Sequence, residues 1–224
     1  MLQAHAILSR ALTDAVRNNL ITKNPCKLVD SPSPPEYPIS VPSMELFWGM
    51  VVAAEGTEHL IPILLTGLCG LSREEIFGLT WNDIDFGNAT LTVRQVVTTS
   101  REGLDIKIPK TKLSARTISI PDPVLEVLSQ NKSVGYVMSK NGKVAHPGYY
   151  SHRFKNFIDT NKFPPKTGLH KLRHFHATLL LDAGVPLKYA QSRLGHSNIN
   201  MTAHYQHLTK KADVIVIEKI HAPY

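Results

Sequence analysis

The chain has 224 residues, of which 42% are hydrophobic, so it can bury a core and is not a wholly disordered protein. No apolar run approaches the roughly 20 residues that cross a bilayer, the N-terminus lacks a secretory signal, and the two cysteines form neither a metal-ligand nor a disulfide pattern, so we expect a cytoplasmic protein. The formal net charge of +7 favours a polyanionic partner, although many enzymes without such a partner are equally basic.

The first predicted element is an amphipathic helix over residues 2–20, in which apolar residues recur at helical spacing. Residues 31–42 then hold five of the chain's fifteen prolines, a composition typical of a stiff interdomain linker. Because a single amphipathic helix must bury its apolar stripe, we expect residues 1–30 to come from a second, truncated domain of a longer protein. Folding of this helix back onto the main body is the alternative.

The remaining residues, 43–224, predict a mainly helical domain with one small sheet. Alternating residues predict three short strands at 89–93, 104–109 and 116–120, which we expect to form one antiparallel sheet. The fold class is therefore α+β. The predicted helices lie at 43–55, 58–80 with a kink near Pro62 and at the glycines 67 and 70, 122–131, 147–160, 169–183 and 186–193.

The residues with the clearest chemistry lie between 168 and 208. His170 and His174 are four residues apart and share a helix face, with Arg173 beside them. A tyrosine in a polar stretch with histidines on either side, Tyr205, could act as a nucleophile whose developing negative charge is stabilised by nearby cations. The two histidines at 170 and 174 could instead hold zinc, but the residues between them lack the glutamate of a metalloprotease helix.

Three motifs in this region carry a resemblance to a known family. The sequences HKLRH at 170–174, LGHS at 194–197 and TAHYQH at 202–207 resemble, in order and spacing, the catalytic motifs of tyrosine recombinases, the phage-integrase family. The resemblance runs from about residue 41 to the C-terminus. It implies that 43–224 is the catalytic domain, that 31–42 is the linker before it, and that 1–30 is the last helix of the family's core-binding domain.

The resemblance implies a role for each matching residue. Tyr205 would attack a DNA phosphorus and form a 3′-phosphotyrosyl link, with no cofactor and no metal. Arg173 would hold the non-bridging phosphate oxygens bidentately. His170 and His196 would hydrogen-bond the phosphate and assist proton movement. Lys110, in the segment that resembles the family's β-hairpin lysine, would protonate the leaving 5′-oxygen.

Other basic residues are candidate DNA contacts. Lys112 is the near alternative to the hairpin lysine, and Arg116, Lys155 and Lys166 are candidate phosphate contacts, although basic residues often only face water. The resemblance also implies double-stranded DNA attachment sites as partners and a homo-tetramer on two duplexes. The apolar tail around 214–217 could pack on a neighbouring protomer or on its own chain, and both options stay open.

The family's first motif is present with one substitution. That motif reads G-L-R-x-x-E, a hydrophobic pair, and then L-x-W-x-D, which matches residues 79–83 and puts the glutamate at Glu75. The arginine position, three residues earlier, is therefore Ser72. Taking Cys69 as the arginine position instead would put the Trp-Asp pair out of phase. The chain thus keeps the scaffold of the motif without one of its two arginines.

The substitution predicts a weakened activity. Loss of one preorganised donor at an oxyanion lowers the rate by about 10²–10³, so we expect a chain that binds DNA and cleaves it poorly or not at all. Arg73 could rescue the position only by local rearrangement, because one residue turns a side chain by about 100° around a helix. The alternatives are a non-cleaving DNA-binding regulator derived from a recombinase and a metal-dependent nuclease.

Overall fold

The computed structural model describes residues 2–31, 41–100, 103–108, 115–140 and 142–195. The chain divides into two compact units, Met1–Ile39 and Ser40–Tyr224. In the ranges that are described, no helix combines the length and the apolar character that a membrane span requires. The predicted proline-rich linker falls almost entirely outside the described residues, and the domain boundaries stay a prediction.

The first unit consists of one helix and a turn that is tied to it. The helix α1, Leu2–Arg17, ends slightly before the predicted range of 2–20, and a 3-10 turn follows at Pro25–Lys27. Asn24 caps that turn, and its side-chain amide donates a hydrogen bond of 2.9 Å to the carbonyl of Ser9 on α1. This contact brings the turn back onto the helix.

The second unit is mainly helical, as the sequence predicts. Five of the predicted helices are confirmed to within about two residues, and the predicted helix at 58–80 is two separate helices. The seven helices that the structure describes in this unit are α2 (Met44–Ala54), α3 (Leu60–Cys69), α4 (Arg73–Gly78), α5 (Asp122–Gln130), α6 (Pro147–Thr160), α7 (Leu169–Asp182) and α8 (Leu187–Leu194).

The break between α3 and α4 corrects the prediction of one kinked helix. Gly70 has φ +73 and ends α3, and its N–H bonds to the carbonyl of Thr66. A residue in the left-handed region stops a helix rather than bending it, and glycine adopts that region without strain. Pro62 causes no kink because it lies in the first turn of α3, where a missing N–H breaks no helical hydrogen bond.

The strands form three small antiparallel sheets. The three-stranded sheet has the order β1-β2-β5 and pairs Leu91 with Ile118, while β3 pairs with β4 and β6 pairs with β7. The strands are β1 (Ile84–Asp85), β2 (Thr90–Val93), β3 (Val96–Ser100), β4 (Gly103–Lys107), β5 (Arg116–Ser119), β6 (Ser139–Lys140) and β7 (Lys143–Val144). The α+β fold class is confirmed.

The strands and their pairing differ from the prediction of one three-stranded sheet. The strand predicted at 104–109 does not join the three-stranded sheet but forms a separate hairpin with Val96–Ser100. The partner strand was missed because its sequence, VVTTS, does not alternate between apolar and polar residues. The prediction was therefore wrong for the strand at 104–109, and β1 takes its place beside β2 in the three-stranded sheet.

The core brings α3 and α7 together, and this contact positions the site. Phe47 on α2 stacks on Phe175 on α7, with ring centroids 4.9 Å apart. A Cβ added at Gly67 on α3 would lie 2.1 Å from the Phe47 ring, so the glycine lets the helices approach closely. Trp81 and Leu79 of the first family motif are buried in this core. Beside this core, the C-terminal ends of α3 and α8 meet Arg173 on α7.

Candidate active site

Ser72, which the motif spacing predicts to be the position of the family's first arginine, is the N-cap of α4. Its backbone is extended (φ −74, ψ 162), and its hydroxyl accepts a hydrogen bond of 3.3 Å from the N–H of Glu75. The carboxylate of Glu75 accepts in return from the N–H of Ser72 at 2.7 Å, which completes a capping box. The serine therefore stabilises the helix start, a role that an arginine side chain does not fill.

This geometry also corrects the angular argument against Arg73. A rotation of about 100° between neighbours holds inside a helix, but Ser72 precedes the helix in an extended conformation. The direction of the Arg73 side chain relative to that of Ser72 is therefore set by the capping geometry and not by the rotation between neighbours in a helix.

Glu75 is a buried carboxylate that joins two arginines. Its Oε1 accepts from Nη1 of Arg116 at 2.5 Å, and its Oε2 accepts from Nη1 of Arg173 at 3.0 Å. Burial by itself raises the pKa of Glu75, but the hydrogen bond and charge of Arg116 and the charge of Arg173 hold the pKa below its ordinary value. The carboxylate is thus ionised at neutral pH and fixes both guanidinium groups.

Arg173 is held by three parts of the unit. Besides Glu75, its Nη1 donates to the carbonyl of Gly70 at 2.8 Å, and its Nη2 donates to the carbonyl of Leu194 at the end of α8. Only 12% of its side chain is exposed. Residues of the family's first motif (Gly70 and Glu75) and of the LGHS motif (Leu194) therefore hold this guanidinium, which is preorganised before any ligand arrives.

Arg116, a candidate phosphate contact in the sequence, is buried in the structure. Its Nε donates to the carbonyl of Arg193 at 2.6 Å in addition to its pairing with Glu75. The missed signal was its register, because Arg116 shares the inward face of β5 with Ile118. A contact between Arg116 and DNA stays a prediction.

Gly195, the glycine of the LGHS motif, is required by the packing around it. A Cβ at Gly195 would lie 2.6 Å from Nη1 of Arg116, and the residue has φ +70. Both features require glycine at the end of α8. The glycine of the L-G-H pattern therefore makes room for the buried side chain of Arg116, in addition to preceding His196 in the sequence.

His176 is a buried polar residue that sequence reasoning missed. Its Nδ1 lies 3.2 Å from the carbonyl of Gly67, and its Nε2 accepts from Nε of Arg193 at 3.2 Å. Burial, together with the charge of Arg193, lowers the pKa of His176 to about 3. The imidazole is therefore neutral and links α3, α7 and α8 behind Arg173.

His170 and His174 lie side by side on α7, as the spacing predicts, with ring centroids 4.2 Å apart. Desolvation, followed by the charge of Arg173, lowers the pKa of His170. Desolvation, followed by the neighbouring His170, lowers the pKa of His174 to about 4. Both rings are therefore neutral at pH 7, and a neutral imidazole can donate a hydrogen bond from one nitrogen while the other accepts a proton.

A cavity of about 560 Å³ lies beside Arg173 and His170. Two guanidinium groups and a neutral imidazole face it, a set that suits a phosphate group. Its walls come from α4, α6 and α7, and its lining residues are Ser72, Arg73, Glu74, Tyr150, Ser151, Phe154, Gly168, Leu169, His170 and Arg173.

The structure brings together only part of the predicted set. Ser72, His170 and Arg173 line one cavity, and Lys155 and Lys166 are exposed. The remaining predicted site residues lie outside the described residues: Tyr205, His196, Lys110 and Lys112.

Comparison with known proteins defines the class. Residues 52–212 match the Phage integrase family, which is more than half of the chain, so the chain belongs to that family. It is 29% identical over 242 residues to a tyrosine recombinase XerC-like protein of Caldanaerobacter subterraneus, covering 92% of this chain and 61% of that protein. It is 24% identical to the integrase of Mycobacterium phage L5, covering 96% of this chain and 60% of the integrase.

The fold agrees with solved structures of the same class. The chain superposes with a TM-score of 0.82 and 25% identity on the Tn1549 transposon integrase in complex with a circular intermediate DNA, covering 96% of this chain and 77% of that one. The family and the catalytic-domain fold predicted from the motifs are confirmed. The chain spans about three fifths of the length of these two sequence relatives.

Proposed function

We propose that this chain is the catalytic part of a site-specific DNA recombinase or integrase of a phage or mobile element. The observation that carries the proposal is the cavity in which Arg173 is held by Glu75 and two backbone carbonyls, with His170 on the same wall. Membership of the Phage integrase family supports DNA phosphate as the ligand of that cavity.

The proposed reaction follows from the family's chemistry. The phenol oxygen of Tyr205 attacks a DNA phosphorus, the bond from phosphorus to the 5′-oxygen breaks, and a 3′-phosphotyrosyl link forms. The phenol, with an ordinary pKa of about 10, loses its proton as it attacks, and Lys110 or Lys112 protonates the leaving 5′-oxygen. The link conserves the phosphodiester bond energy, so that the reverse attack by a 5′-hydroxyl rejoins the strand.

Arg173, His170 and His196 would act on the phosphate in this reaction. The guanidinium neutralises charge on the non-bridging oxygens, and the imidazoles donate hydrogen bonds to them and assist proton movement. The depressed pKa of His170 supports this role, because a neutral ring can serve as donor and as proton acceptor at pH 7.

Ser72 lowers the activity in this proposal. The cavity has the serine hydroxyl, engaged with the N–H of Glu75, where the family has its first arginine. Removing one preorganised donor lowers a rate by about 10²–10³, and a guanidinium contributes at least as much at a pentavalent phosphorus. We therefore expect DNA binding with slow cleavage.

The proposed partners are two DNA duplexes and three further copies of the chain in a tetramer. The net charge of +7 supports binding to the duplex, and such binding weakens as salt rises because condensed counterions are released. Exchange of the C-terminal tail between protomers is part of the proposal, and that tail lies outside the described residues. Localisation in the cytoplasm likewise stays a prediction.

The test is covalent attachment to a nicked suicide substrate, on which the cut fragment diffuses away. We expect a protein–DNA adduct that resists denaturant, that is absent in Tyr205→Phe and that forms equally well with chelator present. Adduct formation by Tyr205→Phe at the unaltered rate would contradict the proposal. Loss of DNA cutting with chelator, with Tyr205→Phe still active, would favour the metal-dependent nuclease.

A second candidate is a DNA-binding regulator that no longer cuts, and the capping role of Ser72 favours it. In that case the serine stabilises a binding module and the missing arginine is of no consequence. The two candidates share salt-sensitive duplex binding and differ in attachment through Tyr205. Binding without any adduct, in the unaltered chain and in Ser72→Arg alike, would support the regulator.

A further inference from the structure

We infer that Arg73 supplies the second guanidinium for the DNA phosphate in place of the residue missing at Ser72. The inference rests on the proposed recombinase function and names a further catalytic residue for it. Arg73 belongs to the wall of the cavity that Arg173 and His170 also line. The cavity therefore has two arginines, although the first motif has lost its own.

The side chain of Arg73 is already directed across the cavity wall from α4 to α6. Its Nη1 donates to the hydroxyl of Ser151 at 2.8 Å, and its Nε and Nη2 donate to Oε1 of Glu74 at 3.2 and 2.8 Å. A carboxylate oxygen held by the Nε and Nη2 edge is the contact that a phosphate oxygen would make with the same edge. Glu74 thus occupies the position that the substrate would take.

The partners of Arg73 are exchangeable, unlike those of the buried arginines. The side chains of Arg73 and Glu74 are 40% and 36% exposed, and ion pairs at such positions are weak because water screens them. The pair between Arg116 and Glu75 is 6% and 8% exposed, so its partners are held much more firmly. A phosphate can therefore displace Glu74 from Arg73 without disturbing the ion pairs that join Glu75 to Arg116 and Arg173.

The backbone permits Arg73, one position after Ser72, to serve in place of the motif arginine. Because Ser72 is extended and caps α4, Arg73 is the first residue of that helix, and its side chain extends from the first helical turn. Its long side chain reaches Ser151 on α6, on the far wall of the same cavity. The substitute reaches the phosphate from the α6 side, so it is expected to be less effective than an arginine at the original position.

The test is a double-mutant cycle of the attachment rate on the suicide substrate, with DNA at saturating concentration. Arg73→Ala should slow attachment by about 10- to 100-fold, the equivalent of one hydrogen bond to a charged group. In the Ser72→Arg background the same substitution should have little effect, because the original guanidinium is restored. Arg73→Lys, which keeps the charge and loses the fork, should fall between the two.

Two further variants separate a phosphate contact from a structural role. Glu74→Gln removes the competing carboxylate and should speed attachment, an effect that a merely structural salt bridge would not produce. Arg94→Ala removes the same charge from an arginine paired with Asp83 and serves as the matched control, expected to leave the rate unchanged. Thermal unfolding of every variant checks that each is folded, and if Arg73→Ala is not, Arg73→Lys and Glu74→Gln carry the test.

The outcomes separate this inference from the proposed function. Equal slowing by Arg73→Ala in both backgrounds, or no slowing in either, would overturn the role of Arg73. Attachment by Ser72→Arg with none by the unaltered chain would overturn it as well, while leaving the recombinase function intact. No attachment by any variant would overturn both.

Discussion

Two positions of the cavity that the family motifs assign to arginine, 173 and 72, hold different residues in this chain. At the α7 position, Arg173 is held by contacts that include Glu75, Gly70 and Leu194. At the start of α4, the motif spacing predicts an arginine where Ser72 caps the helix. The comparison teaches that a position in a predicted catalytic motif can have a structural function of its own.

Glu75 explains why the scaffold persists. The same carboxylate completes the capping box with Ser72 and pairs with two arginines, the buried Arg116 and the largely buried Arg173. Its loss would leave those charges without their carboxylate partner, whereas position 72 is occupied by a serine that caps the helix. We therefore expect the glutamate to stabilise the fold whether or not the chain cuts DNA.

The largest expected effect tests this requirement. Glu75→Gln should lower the free energy of unfolding by about 3–5 kcal/mol, because it leaves the buried guanidinium of Arg116 and the largely buried one of Arg173 without a carboxylate. Glu74→Gln, the neighbouring exposed position, should lower it by about 1 kcal/mol or less. Urea unfolding of both variants measures the difference, and equal losses would contradict the distinction between the two glutamates.

The next effect concerns the turn that carries the carbonyl bound by Arg173. Gly70→Ala forces a side chain into φ +73 and puts its Cβ 2.4 Å from the ring of His176. Gly56→Ala is the matched control, since Gly56 has φ +69 and no neighbour within 4 Å of an added Cβ. We expect Gly70→Ala to be less stable than Gly56→Ala by about 1–3 kcal/mol, the range for overpacking, as measured by the urea midpoint.

A pH dependence tests the support behind Arg173. The pKa of His176 is about 3 in the folded chain because burial disfavours its charged form, so between pH 6.5 and 3 the unfolded chain binds one more proton. Stability from this residue is full above pH 6.5 and falls as the pH is lowered. The unaltered chain should lose about 1.4 kcal/mol per pH unit more than His176→Gln in this window.

Measurement of unfolding free energies at pH 7, 6 and 5 checks this prediction. Every other titrating group is common to both chains, so their difference isolates His176. Parallel pH profiles for the unaltered chain and His176→Gln would show that the ring is not held neutral.

The smallest expected effect is the stability cost of restoring the arginine. Ser72→Arg removes an N-cap and should lower the free energy of unfolding by about 1 kcal/mol. Ser43→Arg removes the corresponding cap of α2, where Ser43 accepts from the N–H of Leu46, and should cost a similar amount. Only Ser72→Arg should change DNA attachment. A stability gain on Ser72→Arg would contradict the capping role.

The sequence predicted elements and motif positions better than it predicted partners. The helix at 147–160 was correct at both ends because Pro147 opens it and the apolar period runs through it. The position of Ser72 followed from motif spacing, whereas its capping role was not predicted. The fold class was predictable because hydrophobic periodicity is a local signal.

The partners were not predictable because they come from distant segments. Glu75 meets Arg116 across 41 positions, and Arg173 meets Gly70 across 103. Arg116 was proposed as a phosphate contact on residue type, and its pairing with Glu75 and the carbonyl of Arg193 offsets the cost of burying its charge. The strand at 96–100 was missed for a related reason, since its partner and not its own pattern makes it a strand.

The most direct test of the account compares the rates at which the unaltered chain and Ser72→Arg become covalently attached to a nicked DNA substrate. If Ser72 occupies the position of the missing arginine, the restored chain should attach at least about tenfold faster, approaching the 10²–10³ expected for an uncompensated donor. Equal rates for the two chains, with both dependent on Tyr205, would contradict the assignment of that position.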